Sequence, residues 1–370
     1  MKILHVASFI GNIGDNASHK GFYSILNETL SNYTIERVEI RKFYKNYNKS
    51  DKMFFNESFI SYLNKFDVCF IGGGGFLDYW VENSQTGTTI DISPDLLMNI
   101  KIPTLFTSIG SNPHKKIPPG NIVKYKYFLD KALQNKKIHF AFRNDGSLDT
   151  MKKNFGVEYL GNFTEILDHG FFYKGNNICE RILDKKYVAI NITEDQIDMF
   201  KAKNTELDIE DYYNQLKIII NFIITKLKLH VVLVPHIHSD LKAISKLIDC
   251  LDDDLIRNHI TVGQCIQGFS GADYSFSIYQ NSEIVIGTRF HANVCSLALG
   301  KPTIGLVALD RIAYLYDFFG IGNNAIKLEK NFSKKVIGSF QNLIPIRKDI
   351  LDDKKQKTKS FYKSFMKKLK

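Results

Sequence analysis

The chain has 370 residues, 44% of them hydrophobic, with 49 basic and 39 acidic side chains, an ordinary globular composition long enough for two domains. No apolar run approaches the roughly 20 residues of a membrane-spanning helix, which excludes a helical membrane protein. The net charge of +10 is concentrated in residues 354–370, which hold eight lysines and no acid. The body is therefore near neutral, and with no recognised binding motif beside the charge, nucleic acid is not indicated.

Residues 2–9 read as a first strand and lack the long apolar core and small-residue cleavage site of a signal peptide. The loop Gly11-Asn12-Ile13-Gly14-Asp15-Asn16 follows, then a helix from about 17 to 30. Further strands are read at 68–71, 104–109 and 139–142, with helices at about 121–135 and 145–154. A second series runs through a strand at 187–192, a helix at 210–228, a strand at 230–234 and a helix at 240–250. It ends with strands at 259–262, 284–286 and 303–307. This alternation predicts an α/β fold of two Rossmann-like, doubly wound domains facing a cleft. The expected bounds are 1–175 and 186–345, joined through 171–186, followed by a basic amphipathic helix over 346–370. The five cysteines (Cys69, Cys179, Cys250, Cys265, Cys295) are dispersed and form no C-x-x-C pair. That pattern fits a reducing cytosol and argues against a structural zinc site.

The segment Ile284-Val285-Ile286-Gly287-Thr288-Arg289-Phe290-His291 carries the densest signal. Its β-branched run is a short buried strand, and Gly287 and Thr288 make a tight turn with Thr288 as N-cap. A helix then runs to Leu299 and stops at Gly300 and Pro302. Arg289 and His291 would fall in its first turn, where backbone N–H groups and the helix dipole favour an anion. An Arg fork suits phosphate or carboxylate, and a His titrates near neutral pH. A surface ion pair and a core histidine are the ordinary readings. The coincidence of strand, turn and helix start favours a site for an anionic ligand that needs a proton moved.

Gly72 to Gly75 follow another strand and allow close backbone approach to a ligand, more than a turn requires. Their spacing fits neither the dinucleotide fingerprint nor the P-loop. Gly73, Gly74 and Gly75 are candidate substrate positions, and Asp78 is a candidate base or hydroxyl partner. In the first loop, Asn12, Asp15 and Asn16 offer hydrogen bonds to hydroxyls, or form an Asx turn. Ser108 and Arg143 end two further strands; Arg143 binds an anion or pairs with Asp145. His236 and His238 precede Asp240, but no third ligand has metal spacing, so they are read as substrate-contacting or loop-ordering residues with no metal. In the tail, Phe361, Phe365 and Leu369 recur every four residues among lysines. Such a helix suits an anionic membrane surface, or packs its apolar stripe on the body.

In this order the segments resemble the polysaccharide pyruvyl transferase family, from Gly11-Asn12-Ile13-Gly14-Asp15 to about residue 322. The resemblance is most specific over GTRFHANVCSLALGKPTIGL at 287–306. It implies a GT-B-like architecture and transfer of pyruvate from phosphoenolpyruvate onto two hydroxyls of a sugar in a cell-surface polysaccharide precursor. The products would be a cyclic ketal and phosphate, with no metal and no cofactor besides the donor. Arg289 and His291 match the family's Arg-x-His positions. We assign Arg289 as anion clamp, His291 as general acid, and Asp78 or Asp15 as base. The family's further Arg at the end of the first strand of the second domain is replaced by Asn191-Ile192-Thr193. Lys201, Lys203 or Arg143 is expected to supply that cation. The acceptor is expected on the N-terminal domain and the donor on the C-terminal one. A lipid-linked oligosaccharide acceptor would give the basic tail a purpose, holding a cytoplasmic enzyme at the inner face of the cell membrane. The rival readings are a GT-B glycosyltransferase using a nucleotide sugar and a non-catalytic carbohydrate-binding protein.

Overall fold

The computed structural model describes residues 1–175, 182–201 and 207–369. They form two compact units. The first comprises Met1–Phe9, Tyr23–His169 and the chain from Asp353; the second comprises Ile10–Phe22 and Gly170–Asp352.

The first unit contains β1 (Lys2–Ala7), the latter part of α1 (Ile13–Thr29), β2 (Thr34–Glu39), α2 (Glu57–Leu63), β3 (Val68–Gly72) and β4 (Thr104–Ile109). It continues with α3 (Asn121–Gln134), β5 (Ile138–Arg143), α4 (Ser147–Phe155) and β6 (Phe163–Ile166). The sheet is parallel throughout, in the order β2-β1-β3-β4-β5-β6. β3 and β4 are buried along their whole length, which is why they read as continuous apolar runs. The chain passes from β1 outward to β2 and then back beyond β1 to β3. The strand order therefore reverses between β1 and β3, the place where open α/β sheets bind ligands at their carboxyl ends.

The second unit contains β7 (Tyr187–Asn191), α5 (Asp195–Lys201), α6 (Ile209–Thr225), β8 (His230–Leu233), α7 (His238–Asp249), α8 (Asp253–His259) and β9 (Ile260–Val262). It goes on through α9 (Gly268–Asn281), β10 (Ile284–Gly287), α10 (Phe290–Ala298), β11 (Thr303–Val307), α11 (Asp310–Phe318), β12 (Ala325–Lys327) and α12 (Phe332–Ser339). This sheet is also parallel, in the order β12-β11-β10-β7-β8-β9. Its reversal lies between β7 and β10, whose ends meet at Asn191 and Gly287.

β2, β6 and β12 lie outside the strands read from sequence, and all three are sheet edges. An edge strand needs no continuous apolar run: in β2, Glu36 and Arg37 face solvent, and in β6 Glu165 does.

The final helix, α13 (Lys348–Lys367), belongs to the first unit from Asp353 onward. Tyr362, Phe365 and Met366 are buried. Phe365 sits 5.4 Å from the ring of His139 and 6.2 Å from that of Phe70. The Tyr362 hydroxyl bonds His169 Nε2 at 2.6 Å and also meets Thr107. Thr358 Oγ1 accepts the Leu167 N–H at 3.0 Å. Burying each large apolar side chain stabilises the unit by about 1.5–3 kcal/mol. The helix thus uses Tyr362, Phe365 and Met366 to cover the unit's own sheet; of the stripe read from sequence only Phe365 is buried, and Phe361 and Leu369 are partly exposed. Lys357, Lys363, Lys367 and Lys368 point outward. No helix among the described residues is long and apolar enough to cross a membrane.

Candidate active site

In the second unit, the loops at the carboxyl ends of β7, β8 and β10 converge. Thr288 does not cap α10; that position is held by Arg289, and the helix begins at Phe290. Thr288 is fully buried, and its hydroxyl donates to the Asn191 carbonyl at 3.1 Å. A hydroxyl that donates to the neighbouring strand pins the turn. Asn191 reinforces this, its Oδ1 accepting the Arg289 N–H at 3.0 Å and its Nδ2 donating to the Val234 carbonyl at 3.0 Å.

The Arg289 side chain is held by carboxylates. Nε donates to both oxygens of Asp240, at 3.0 and 2.9 Å. Nη2 reaches Thr193 Oγ1 and Asp195 Oδ1, each at 2.9 Å. Asp240 is completely buried, and its carboxylate also accepts the His236 N–H at the head of α7. The Asp195 side chain is 39% exposed. Burial opposes the guanidinium charge, but Asp240 and then Asp195 more than offset it, so the pKa of Arg289 lies above its ordinary value. The open anion clamp expected from sequence is therefore a braced one. Nη1 makes no hydrogen bond among the described residues, and Asp195 is the partner that can leave.

His291 occupies the first turn of α10 and is buried. Its Nδ1 lies 3.5 Å from Asp15 Oδ1. Asp15 is in the first turn of α1, which starts at Ile13, earlier than the sequence pattern placed it. Gly14 makes the approach possible: a Cβ there would lie 2.6 Å from that of His291. Asn12 takes the Asx-turn role, its Oδ1 accepting the Gly14 N–H at 3.0 Å.

His236 and His238 do not share a face, because α7 begins at His238. His238 is exposed, whereas His236 is fully buried, with Nε2 2.7 Å from the Tyr279 hydroxyl. Burial, then the charges of Arg289 and His291, depress the His236 pKa well below its ordinary value. His236 is thus a neutral wall behind the Arg289–Asp240 pair, and its burial is at odds with direct substrate contact. Among the described residues no group of three His, Cys, Asp or Glu side chains could hold a metal.

The first unit uses its candidates differently. Gly73 has φ 78° and donates its N–H to the Thr107 carbonyl at 3.0 Å, and the Gly74 carbonyl accepts from Gly110 at 2.9 Å. A Cβ at Gly72 would lie 1.8 Å from the Thr107 oxygen, and one at Gly75 2.7 Å from Asp78 Oδ2. The glycine run thus lets β3 and the loop after β4 close on each other, and Gly75 alone is partly exposed. Asp78 is buried, accepting the Asn112 N–H at 2.7 Å and facing His114 Nε2 at 3.2 Å. With both oxygens engaged it is a tie between two loops. Ser108 has φ 45° and is buried, its hydroxyl facing Asp168 at 3.4 Å. Arg143 is buried against Asp145 at 2.6 Å and Asp168 at 3.5 Å, which consumes the charge expected to grip a donor.

Lys203 lies outside the described residues, as do Asn176, Asn177 and Cys179. Asp195, Thr193 and Asn191 are site residues that sequence reasoning did not assign to Arg289. They lie at the end of β7 or just beyond it, and only the pairing of β7 with β10 brings them to Arg289. Arg311 was also not singled out. It sits in the first turn of α11 with its guanidinium 5.7 Å from the centre of the Phe290 ring.

The model of the family described as polysaccharide pyruvyl transferase matches residues 12–308. No curated protein matches the chain. Among solved structures, UDP-GlcNAc 2-epimerase from Methanocaldococcus jannaschii is similar with a TM-score of 0.55 at 12% identity, over 94% of this chain and 93% of that one. S. aureus MnaA in complex with UDP gives 0.51 at 11% identity, over 96% and 90%. UDP-GlcNAc 2-epimerase from Neisseria meningitidis bound to UDP-GlcNAc gives 0.50 at 12% identity, over 96% and 94%. At such identities the likeness shows the fold: two Rossmann-like units in a GT-B-like chain.

Proposed function

Because this chain belongs to the polysaccharide pyruvyl transferase family, we propose that it moves pyruvate from phosphoenolpyruvate onto two hydroxyls of a sugar in a polysaccharide precursor. The observation that carries this reading is the pairing of His291 with Asp15, two residues along from a braced guanidinium, where the second sheet reverses its strand order.

The chemistry needs three things that this arrangement supplies. The donor carries a phosphate and a carboxylate, so it needs cations; Arg289 offers Nη1, while Nη2 is held by Asp240 as well as by Thr193 and Asp195. Arg311, beside Phe290, is the second cation in place of the family's missing Arg. The enol C3 must gain a proton, which makes C2 electrophilic. Protonated His291, steadied by Asp15, gives that proton from Nε2. The first sugar hydroxyl then bonds to C2 and returns a proton to His291. The C2–O bond to phosphate breaks, the second hydroxyl closes the ring, and its proton leaves with the phosphate. General acid catalysis of this kind typically contributes about 10²–10⁴-fold.

The step draws on phosphoenolpyruvate and so belongs in the cytoplasm. The outward lysines of α13 would hold the enzyme electrostatically against an anionic leaflet, each worth about 1 kcal/mol near the surface, where a lipid-linked acceptor would lie. Phosphate released from phosphoenolpyruvate only when a mixed pool of bacterial polysaccharide precursors is added tests the reading. Release without any acceptor dependence, or none at all, overturns it.

A further inference from the structure

Trp80 is the single tryptophan of the chain, and it lies in the loop that follows β3, on the carboxyl side of the first sheet and against the loop after β4. Its ring is partly exposed. The Lys115 ammonium rests 4.4 Å from the ring centre. Lys115 is itself exposed, and no carboxylate pairs with it among the described residues. The lysine thus presents a cation beside an aromatic ring at the carboxyl ends of the strands, where open α/β sheets bind ligands.

The two loops are fixed in advance. Asn121 Nδ2 donates to the carbonyls of Tyr79 and Val81, both at 3.1 Å, and so clamps the backbone on either side of Trp80. Asp78 ties the same loop to the one bearing Lys115, through the Asn112 N–H at 2.7 Å and His114 at 3.2 Å. Neither tie uses the indole face or the ammonium. Such preorganisation lowers the ordering cost of binding. The part of the indole that the ammonium leaves uncovered suits the apolar C–H groups of a pyranose, and the ammonium suits a charge on that sugar.

We propose that Trp80 and Lys115 form a subsite for a saccharide that bears a negative charge, either a phosphate or a carboxylate. The inference rests on the pyruvyl-transfer reading only in taking a saccharide as substrate.

Because Trp80 is the sole tryptophan, intrinsic fluorescence reports directly on the subsite, and no donor is needed. The full chain is titrated with glucose 1-phosphate, glucuronic acid, methyl glucoside and inorganic phosphate. The expected result is saturable change with at least one of the two charged sugars, about ten-fold tighter than with methyl glucoside. The tighter of the two names the anion. Lys115→Gln, a surface change that leaves the fold intact, should reduce the charged sugars to the neutral level. No change with either charged sugar, an undiminished preference in K115Q, or an equal response to inorganic phosphate would each overturn the proposal. If the titration behaves as expected but phosphoenolpyruvate never yields phosphate, the subsite stands and the pyruvyl-transfer reading fails.

Discussion

Asp15 Oδ1 lies 3.5 Å from Nδ1 of His291, joining the first turn of α1 to the first turn of α10. In the proposed mechanism a carboxylate on Nδ1 orients the imidazole, and the two residues would act as one proton-transfer unit. Losing either should remove most of what the pair provides. We expect His291→Gln to lower kcat by about 10²–10⁴-fold and Asp15→Asn by roughly ten-fold or more. The double variant should be little slower than His291→Gln alone, because residues acting as a unit are not additive. Additive losses in single-turnover rates would show that Asp15 does not work through His291.

The two carboxylates on Arg289 should behave in opposite ways. Asp240 is completely buried, and Asp240→Asn leaves a buried guanidinium short of charge and disturbs the head of α7. Its expected cost is about 3–5 kcal/mol in denaturant unfolding. Asp195 is the exposed partner, and its negative charge opposes an anion arriving beside Arg289. Asp195→Asn should leave stability nearly unchanged and lower the phosphoenolpyruvate KM several-fold. A raised KM in that variant would mean that Asp195 holds Arg289 in its working position and does not compete with substrate.

His236 gives the fold a dependence on pH. Burial, then Arg289 and His291, depress its pKa, so the folded chain keeps it neutral while the unfolded chain takes up a proton near the ordinary histidine value of 6.5. Below that pH the unfolded state binds more protons. Stability contributed by this group is therefore complete above about pH 6.5 and falls as pH drops, by at most about 1.4 kcal/mol per unit. Urea melts at pH 7.5 and 5.5 should show wild type losing roughly 1 kcal/mol more than His236→Gln. Equal losses in the two proteins would rule out the buried, neutral state.

The C-terminal helix should prove structural first. Removing 354–370 strips Tyr362, Phe365 and Met366 from the first unit and should lower its unfolding midpoint sharply. Replacing Lys363, Lys367 and Lys368 with Gln should leave that midpoint in place and weaken binding to anionic liposomes. If the truncated chain melts like the full one, the stripe does not hold the unit together. If the Gln variant binds liposomes as wild type does, the lysine face plays no part in that binding.

The central strands and the Arg289–His291 turn were legible in the sequence because burial on both faces imposes apolar runs, and because a Gly turn after a strand is a local signal. The edge strands β2, β6 and β12 were not, since one unpaired side permits charge at alternate positions. The partners of Arg289 were harder still. Asp240, Asp195 and Asn191 meet it only through parallel pairing of β7, β8 and β10, a long-range arrangement with no local pattern. The same applies to Asp78 and to the contact of Arg143 with Asp168, whereas the pairing of Arg143 with Asp145 was one of the two readings its local motif offered. Their buried partners, Asn112 and His114 for the one, Asp145 and Asp168 for the other, turn them into structural ties.

The most direct test of the account is calorimetric titration of wild type and Arg289→Ala with phosphoenolpyruvate and with UDP-GlcNAc. The account predicts saturable phosphoenolpyruvate binding that the variant loses, and no UDP-GlcNAc binding by either protein. Saturable binding of UDP-GlcNAc with none of phosphoenolpyruvate would contradict it and make the chain a nucleotide-sugar protein on the shared fold.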